Sequence, residues 1–329
     1  AANLRERIRR ETGQSVDVFT FHGFAAKHVL RDGERVATEL ESDAAIDSLY
    51  KGPTSRKTVE TAHGSRKLCP KYMVESAILN HESARFSITS EMNIIMSRLA
   101  ESRLVPTWAL FNRFIDVPQY RHVLVDEAQD CTRAEWDIVE RTRGTPFFVG
   151  DGKQSIFDFR GAKGSMPFKS HSLTHSFRFG LAIASACNVV AAEFGGDPIE
   201  GCDRDSTVTS EIPDRTGKTT AYLARTHHDC AIIAASMGDA AVHVRRDPLD
   251  AFSHESDRIG SAFAAGKTVV STVHGFKGHE ADIVIVDESV FAATEDDRAT
   301  VEDWRVLYVA MSRARDVLVL PPERIHAFI

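Results

Sequence analysis

The sequence has few cysteines and no long apolar run. Its five cysteines contain no Cys-x-x-Cys pair and are Cys69, Cys131, Cys187, Cys202 and Cys230. Neither a zinc cage nor a disulfide framework is therefore indicated. No apolar stretch approaches the roughly 20 residues that cross a bilayer, and the first residues are charged rather than typical of a signal sequence. These features favour a protein of the reducing cytoplasm.

An excess of positive charge is also missing. The formal net charge is -7, which argues against a protein that coats nucleic acid by charge alone. Any contact with nucleic acid would have to come from local basic and aromatic side chains inside a groove. With 329 residues, 43% of them hydrophobic, the chain can bury a large core and is expected to form two domains.

Short apolar runs rich in β-branched and aromatic residues recur between helical patterns. Strands are predicted at residues 16–21, 122–125, 147–149, 221–223, 269–272, 283–286 and 317–320. Helices are predicted at 135–143, 180–194 and 304–314. This alternation predicts an α/β fold with doubly wound parallel sheets.

The strand pattern stops between about residues 25 and 118. Residues 72–79 and 91–104 have helical spacing with charged outer faces, so a helical insertion is expected. A basic stretch lies within it and comprises Lys51, Arg56, Lys57, His63, Arg66, Lys67 and Lys71. A solvated loop and a DNA-contacting surface both remain open as interpretations of that stretch.

The most informative run is Asp126-Glu127-Ala128-Gln129-Asp130, which directly follows the apolar strand at 122–125. Ligands bind beyond the carboxyl ends of strands in open α/β sheets. There a strand-end Asp can hold Mg²⁺ on nucleotide phosphates, and a neighbouring Glu can deprotonate an attacking water. Taken alone, an acidic strand end is more often a solvated loop or a helix cap.

A second strand, at 147–149, opens into a glycine-containing turn. An amide such as Gln154 at this position could sense a γ-phosphate or the attacking water. Phe157 and Phe159 could offer faces for base stacking, although burial in the core explains two phenylalanines equally well.

In their order and spacing, these two runs resemble the second and third motifs of UvrD/Rep helicases. Four further runs are similar to motifs of the same family: residues 20–24 (TFHGF), 173–178 (LTHSFR), 271–280 (STVHGFKGHE) and 307–314 (LYVAMSRA). Because the six elements follow the family order along most of the chain, coincidence is a poor explanation.

The resemblance implies two RecA-like domains, with ATP in the cleft between them and single-stranded DNA across their top. In the first domain it implies that Asp126 binds Mg²⁺ and that Glu127 is the catalytic base. It also implies that Gln154 couples the γ-phosphate to DNA. In the second domain, Arg178 and Arg313 would be arginine fingers, Phe177 would stack on adenine and Glu280 would bond the ribose.

The resemblance also implies a DNA path and a division into domains. The DNA-path candidates are Thr20, His22, Phe159, Arg160, Thr272 and His274. The first RecA-like domain is expected at residues 1–25 and 115–167, the helical insertion at 26–114, and the second RecA-like domain at 168–329. The implied activity is a DNA helicase or translocase of 3′ to 5′ polarity, acting on single-stranded DNA or a 3′-tailed duplex.

One family element is not found in the sequence. The phosphate-binding loop G-x-x-x-x-G-K-[ST] is expected just upstream of Ala1, because residues 1–8 resemble the end of the helix that follows it. Without that loop, hydrolysis of ATP is expected to be poor or absent. An ATPase-inactive remnant or partner subunit that binds single-stranded DNA therefore remains an alternative function.

Overall fold

Helices and parallel strands alternate in the computed structural model of the chain. It describes residues 2–50, 57–61, 64–68, 89–157, 162, 171–245, 255–295 and 299–329. Their contacts separate them into two units. The first unit holds the described residues up to Val149 together with Ala162, and the second holds residues 150–157 and the described residues from 171 onward.

The described helices are short. They are α1 (Ala2–Thr12), α2 (Phe21–Val29), α3 (Glu39–Tyr50), α4 (Thr89–Glu101), α5 (Arg133–Arg141), α6 (Leu181–Glu193), α7 (His227–Met237), α8 (Glu255–Ala264), α9 (Val273–Phe276), α10 (Glu288–Glu295) and α11 (Val301–Met311). None of those described has the length and apolar character needed to span a membrane.

The described strands include several pairs as well as one larger sheet. They are β1 (Arg35–Val36), β2 (Lys57–Thr61), β3 (Gly64–Leu68), β4 (Leu104–Val105), β5 (His122–Val125), β6 (Thr145–Phe148), β7 (Thr207–Thr209), β8 (Thr220–Ala224), β9 (Ala241–His243), β10 (Thr268–Thr272), β11 (Ala281–Val286) and β12 (Ala314–Val319). β1 pairs with β4 and β5 with β6, both in parallel, whereas β2 and β3 are antiparallel.

The second unit is built on a six-stranded parallel sheet in the order β7-β12-β11-β8-β10-β9. Side chains that alternate along β8 enter different cores. Leu223 lies in the large core with residues of α6 and α11, whereas Ala224 packs with Cys230 of α7. Because the central strands are buried on both faces, apolar residues predominate in β8 and β11, as in doubly wound α/β domains. The predicted α/β class with a parallel sheet is confirmed.

The first unit carries the parallel pair β5–β6 beside a helical core. Trp108, Leu110 and Phe111 are buried in that core, with residues of α2 and α4 packed around them. The helix α5 begins at a capping box, in which Thr132 and Glu135 satisfy each other's backbone N–H groups. This helix follows β5, so it fixes the chain just beyond the acidic strand end.

Most of the predicted elements are present in the structure. The predicted strands from residue 122 onward correspond to β5, β6, β8, β10, β11 and β12, and the three predicted helices to α5, α6 and α11. The strand predicted at 16–21 is wrong. Thr20 is the N-cap of α2, its hydroxyl accepting from the Gly23 backbone N–H at 3.0 Å, so the chain enters a helix at Phe21.

The predicted insertion is not purely helical. The helices α3 and α4 lie in it, but β2 and β3 form an antiparallel hairpin there. Thr58, Val59 and Thr61 supply β-branched residues to β2, a composition that favours a strand. The basic residues Lys57, Arg66 and Lys67 belong to this hairpin, whereas the helix predicted at 72–79 lies outside the described residues.

The structure also divides the chain at a different point from the predicted boundary near residue 167. Residues 150–157 belong to the second unit. Basic side chains from that unit bind this segment. Lys277 Nζ donates to the Gln154 carbonyl at 2.5 Å, and His274 Nε2 lies 3.0 Å from the Ile156 carbonyl. The predicted RecA-like domain limits remain a prediction.

Candidate functional site

The acidic run lies at the end of β5, as the sequence predicts. Val125 is buried, whereas Asp126 and Glu127 are exposed. The Asp126 carboxylate accepts a hydrogen bond from the Glu127 backbone N–H at 3.0 Å. Glu127 has φ 52° and ψ 41°, which is the left-handed region that residues with a Cβ rarely occupy. Such strain is concentrated at functional sites, so this conformation marks Glu127 as a candidate.

Gln129 is a further residue of this site, to which the sequence assigned no role. Its side chain is buried, with the residue only 1% exposed. Its amide Nε2 donates to Oε2 of Glu127 at 2.5 Å. The only signal in the sequence was its place within the acidic run, two residues after Glu127.

The carboxylate of Asp126 has the chemistry that Mg²⁺ requires. This ion prefers hard oxygen ligands and is commonly held by one or two carboxylates together with water and substrate phosphates. Asp126 supplies such an oxygen at an exposed strand end. Within the described residues, no group of three or more His, Cys, Asp and Glu side chains converges on a metal position.

In the second unit, Gln154 and Arg313 are joined directly. Arg313 Nη2 donates to Oε1 of Gln154 at 2.9 Å, and Gln154 Nε2 donates to the Asp151 carboxylate at 3.0 Å. Arg313 is 1% exposed and also donates from Nε to the Val309 carbonyl at 3.1 Å. A guanidinium can be buried when its N–H groups are hydrogen-bonded in this way. The two residues predicted to respond to the γ-phosphate therefore form one cluster.

A pocket of about 420 Å³ in the same unit brings together three other predicted residues. Its lining consists of Ser176, Phe177, Arg178, Arg204, Glu280 and Arg315. The Phe177 ring is 84% exposed and lies edge-on to His175. An exposed aromatic ring on a pocket wall is free to stack on a base, because burying it would remove apolar area from water.

Charged groups occupy the other wall of the pocket. Arg178 Nε donates to Glu280 Oε2 at 2.8 Å, and its Nη1 donates to the Ser312 carbonyl at 2.9 Å. Arg315 Nε lies 3.7 Å from Oε1, the other carboxylate oxygen of Glu280. An aromatic face beside guanidinium groups and one carboxylate suits a nucleotide, which combines a base, a ribose and anionic phosphates.

Arg204 and Arg315 are pocket residues that the sequence did not indicate. Arg204 is paired with Asp316 at 3.1 Å and lies in the connection before β7, far along the chain from the motifs. Arg315 follows Arg313 by two residues, on β12. Its position at the pocket depends on the way β11 and β12 pair, which no local pattern revealed.

Two DNA-path candidates, Thr20 and Thr272, have the same local role in different units. Each is an N-cap whose hydroxyl accepts from the backbone N–H three residues later, at 3.0 Å for Thr20 and 3.1 Å for Thr272. The sequences are also alike, Thr-Phe-His-Gly-Phe at 20–24 and Thr-Val-His-Gly-Phe at 272–276. At the first site a Cβ on Gly23 would lie 3.0 Å from the Thr20 hydroxyl, so glycine suits the turn.

The histidines of these two runs, His22 and His274, pack against aromatic rings. The ring of His22 packs on Phe111, with 4.9 Å between ring centroids. His274 contacts the Phe157 ring edge-on and the Ile156 carbonyl. Burial, assisted by the Arg225 guanidinium, lowers the pKa of His274 to about 4. His274 is therefore neutral at pH 7.

The structure places the described candidate residues in five groups. Asp126 and Glu127 lie together in the first unit. In the second unit, Gln154 lies with Arg313, and the pocket unites Phe177, Arg178 and Glu280. Thr20 and His22 lie on or beside α2, and Thr272 and His274 at the start of α9. Phe159 and Arg160 lie outside the described residues.

Comparison with known families identifies two regions of the chain. Residues 117–171 match the UvrD/REP helicase N-terminal domain, and residues 267–320 match the UvrD-like helicase C-terminal domain. The first match contains Asp126, Glu127 and Gln154, and the second contains Glu280 and Arg313.

Two curated relatives are similar over parts of the chain. F-box DNA helicase 1 of Gallus gallus is 46% identical over 69 residues, which are 20% of this chain and 7% of that protein. F-box DNA helicase protein 1 of Schizosaccharomyces pombe is 30% identical over 113 residues, or 32% of this chain and 13% of that protein. The chain thus spans only a small part of the length of either relative.

Solved structures resemble the chain more distantly. The C-terminal domain of a possible DNA helicase from Lactobacillus plantarum has a TM-score of 0.28 at 19% identity, over 44% of this chain and 86% of that domain. An arterivirus nonstructural protein 10 helicase in complex with DNA has a TM-score of 0.35 at 12% identity, over 92% of this chain and 64% of that one. The two family matches, by contrast, fall on the motifs themselves, so these two regions of the chain are similar to the N-terminal and C-terminal domains of UvrD-type helicases.

Proposed function

We propose that the chain is part of an ATP-driven motor that moves along single-stranded DNA. The observation that carries this proposal is the pocket in which Phe177, Arg178 and Glu280 meet. These residues are separated along the sequence, yet they provide a stacking face, a cation for phosphate and an acceptor for ribose hydroxyls. The first unit contributes the acidic strand end that nucleotide hydrolysis requires.

The proposed reaction is attack of water on the γ-phosphorus of ATP. Glu127 accepts a proton from the water as the new P–O bond forms and the bond to the β-phosphate oxygen breaks, giving ADP and inorganic phosphate. Arg178 and Arg313 stabilise the negative charge on the transferred group. Asp126 would hold Mg²⁺, which supplies charge neutralisation on the phosphate oxygens when bound.

DNA is the proposed partner for two reasons. The curated relatives are named as DNA helicases, and the capped turn at Thr20 presents an exposed hydroxyl of the kind that binds phosphates without reading sequence. Single-stranded DNA or a 3′-tailed duplex is the expected substrate, with movement from 3′ to 5′. A cytoplasmic location forms part of this proposal.

Replacement of the proposed base gives the first test. In the whole gene product, Glu127→Gln removes the proton acceptor but keeps the size and hydrogen-bonding reach of the side chain. ATP turnover with single-stranded DNA is expected to fall by roughly 100-fold or more. Nucleotide affinity, measured by titration with a fluorescent ATP analogue, should change little because the pocket is untouched.

Glu101→Gln is the matched control, since it makes the same exchange at an exposed position at the end of α4. Its turnover should equal that of the unmodified protein. If Glu127→Gln retains turnover within a few-fold, the assignment of Glu127 as the base is wrong. Single-stranded DNA binding by an unmodified protein without any ATP turnover would instead favour the ATPase-inactive alternative.

A further inference from the structure

We propose that Gln129 is the positioning residue for Glu127, which it holds in the orientation needed to accept a proton from water. This inference rests on the proposed function, in which Glu127 is the base. The contact that supports it is the 2.5 Å hydrogen bond from the Gln129 amide Nε2 to Glu127 Oε2. An amide nitrogen only donates and an ionised carboxylate only accepts, so the direction of this bond is unambiguous.

The backbone around Gln129 is fixed on both sides. Residues Ala128–Asp130 form a single 3-10 turn, in which the Asp130 N–H donates to the Glu127 carbonyl at 3.0 Å. The Ala128 N–H donates to the Val149 carbonyl at 3.0 Å, which ties the turn to the residue that follows β6. The buried amide is therefore presented from a rigid support rather than from a flexible loop.

Glu127 needs such support. Its backbone adopts φ 52°, and the residue is exposed at the end of a strand. A carboxylate in that position would sample several side-chain rotamers in water, and few of them would point correctly at an attacking water. Holding a reacting group in one orientation contributes substantially to rate, and small displacements are costly. The Gln129 bond restricts that freedom.

The absence of charge on the Gln129 amide matters as well as the length of its side chain. A glutamate at this position would place a second carboxylate within hydrogen-bond distance of Glu127. Two ionised carboxylates so close repel each other, and neither can donate the hydrogen bond that the Gln129 amide provides. An amide of the same size avoids this repulsion and keeps the donor.

Two substitutions separate positioning from simple structural support. Gln129→Ala removes the bond, and kcat for DNA-stimulated ATP hydrolysis is expected to fall by roughly 10- to 100-fold while KM for ATP stays within about threefold. Gln129→Glu keeps the shape, so it should preserve the fold. It removes the donor and adds a repelling charge beside Glu127, so kcat is expected to fall at least as far as in Gln129→Ala, again with KM for ATP within about threefold.

Gln14→Glu adds the same charge at an exposed position and should leave kcat unchanged. The inference is overturned if the unmodified whole gene product hydrolyses ATP but kcat is unchanged in Gln129→Ala or in Gln129→Glu. A Gln129→Ala variant in which KM for ATP rises as kcat falls, with Gln129→Glu unaffected, would also overturn the inference. An unmodified protein without ATP turnover would contradict the proposed function itself, and this assignment with it.

Discussion

At the scale of single residues, Arg178 shows how the pocket is prepared for an anion. Its guanidinium is held by the Glu280 carboxylate and by the Ser312 carbonyl. A bound nucleotide would compete for these donors, and Arg315 would remain near Glu280 as a counter-charge. These two hydrogen bonds hold the Arg178 guanidinium in one position at the pocket, which would reduce the entropy lost if a phosphate bound there.

Removal of this guanidinium should slow hydrolysis more than it weakens DNA binding. For Arg178→Ala in the whole gene product, ATP turnover is expected to fall by roughly 1,000-fold or more, because an arginine finger acts on charge that develops in the transition state. Affinity for a single-stranded oligonucleotide, measured by fluorescence anisotropy, should stay within a few-fold. Arg215→Ala, at an exposed turn, serves as the control. Lost DNA affinity with normal turnover would contradict the role.

The sequence predicted part of this site and not the rest, for a physical reason. Asp126 and Glu127 could be predicted because a strand end places them where ligands bind. Phe177, Arg178 and Glu280 followed from motif resemblance. Additional residues of the site, Gln129, Arg204 and Arg315, are defined by contacts that only the folded chain creates. Such contacts leave no local signature in the sequence.

At the scale of elements, the segment 150–157 is held by His274 of α9 and by Lys277 and Arg313, which follow α9 and α11. Lys277 lies 5.3 Å from the Phe157 ring centroid, and its Nζ donates to the Gln154 carbonyl. Arg313 binds the Gln154 side chain and His274 the Ile156 carbonyl. A change in the hydrogen-bond partner of Arg313 would therefore alter the contacts that hold residues 150–157.

Burial of His274 makes the stability of the second unit dependent on pH. The folded pKa of about 4 lies below the ordinary value of 6.5, so the unfolded chain binds a proton more readily. The stabilising contribution is present above pH 6.5 and is lost as pH falls toward 4. At pH 5 the loss is about 2 kcal/mol.

Urea unfolding of the unmodified chain and of His274→Gln, at pH 7.5 and pH 5, measures this contribution. The unmodified chain should lose more unfolding free energy than the variant between the two pH values, by about 2 kcal/mol. His228→Gln, at an exposed position on α7, should behave like the unmodified chain. Equal losses in the unmodified chain and in His274→Gln would show that His274 does not cause the effect.

Strands could be predicted from the sequence where burial requires them to contain apolar residues. The strands β10 and β11 are buried along nearly their whole length, and both were found from the sequence by their Val- and Ile-containing runs. The edge strands β7 and β9 were missed, since each has three residues and little apolar pattern. At residues 16–21 the residue types resembled a strand, but the Thr20 cap turns the chain into α2.

At the scale of the whole molecule, the two units divide the proposed chemistry. The first contains the carboxylates of the acidic run, and the second contains the pocket together with both predicted arginine fingers. The first family match, residues 117–171, begins in the first unit and runs into the second, whereas the other, residues 267–320, lies in the second unit. The fold class could be predicted from strand and helix alternation, whereas the division at residue 149 could not, because it depends on contacts of the segment that follows.

The most direct test of the proposed motor is the rate of ATP hydrolysis by the whole gene product, measured with and without single-stranded DNA. Turnover is expected to rise several-fold when a single-stranded oligonucleotide is added, to respond weakly to blunt duplex, and to vanish in Glu127→Gln under both conditions. A turnover that single-stranded DNA leaves unchanged, or DNA binding without any hydrolysis, would contradict the assignment of this chain to an ATP-driven DNA motor.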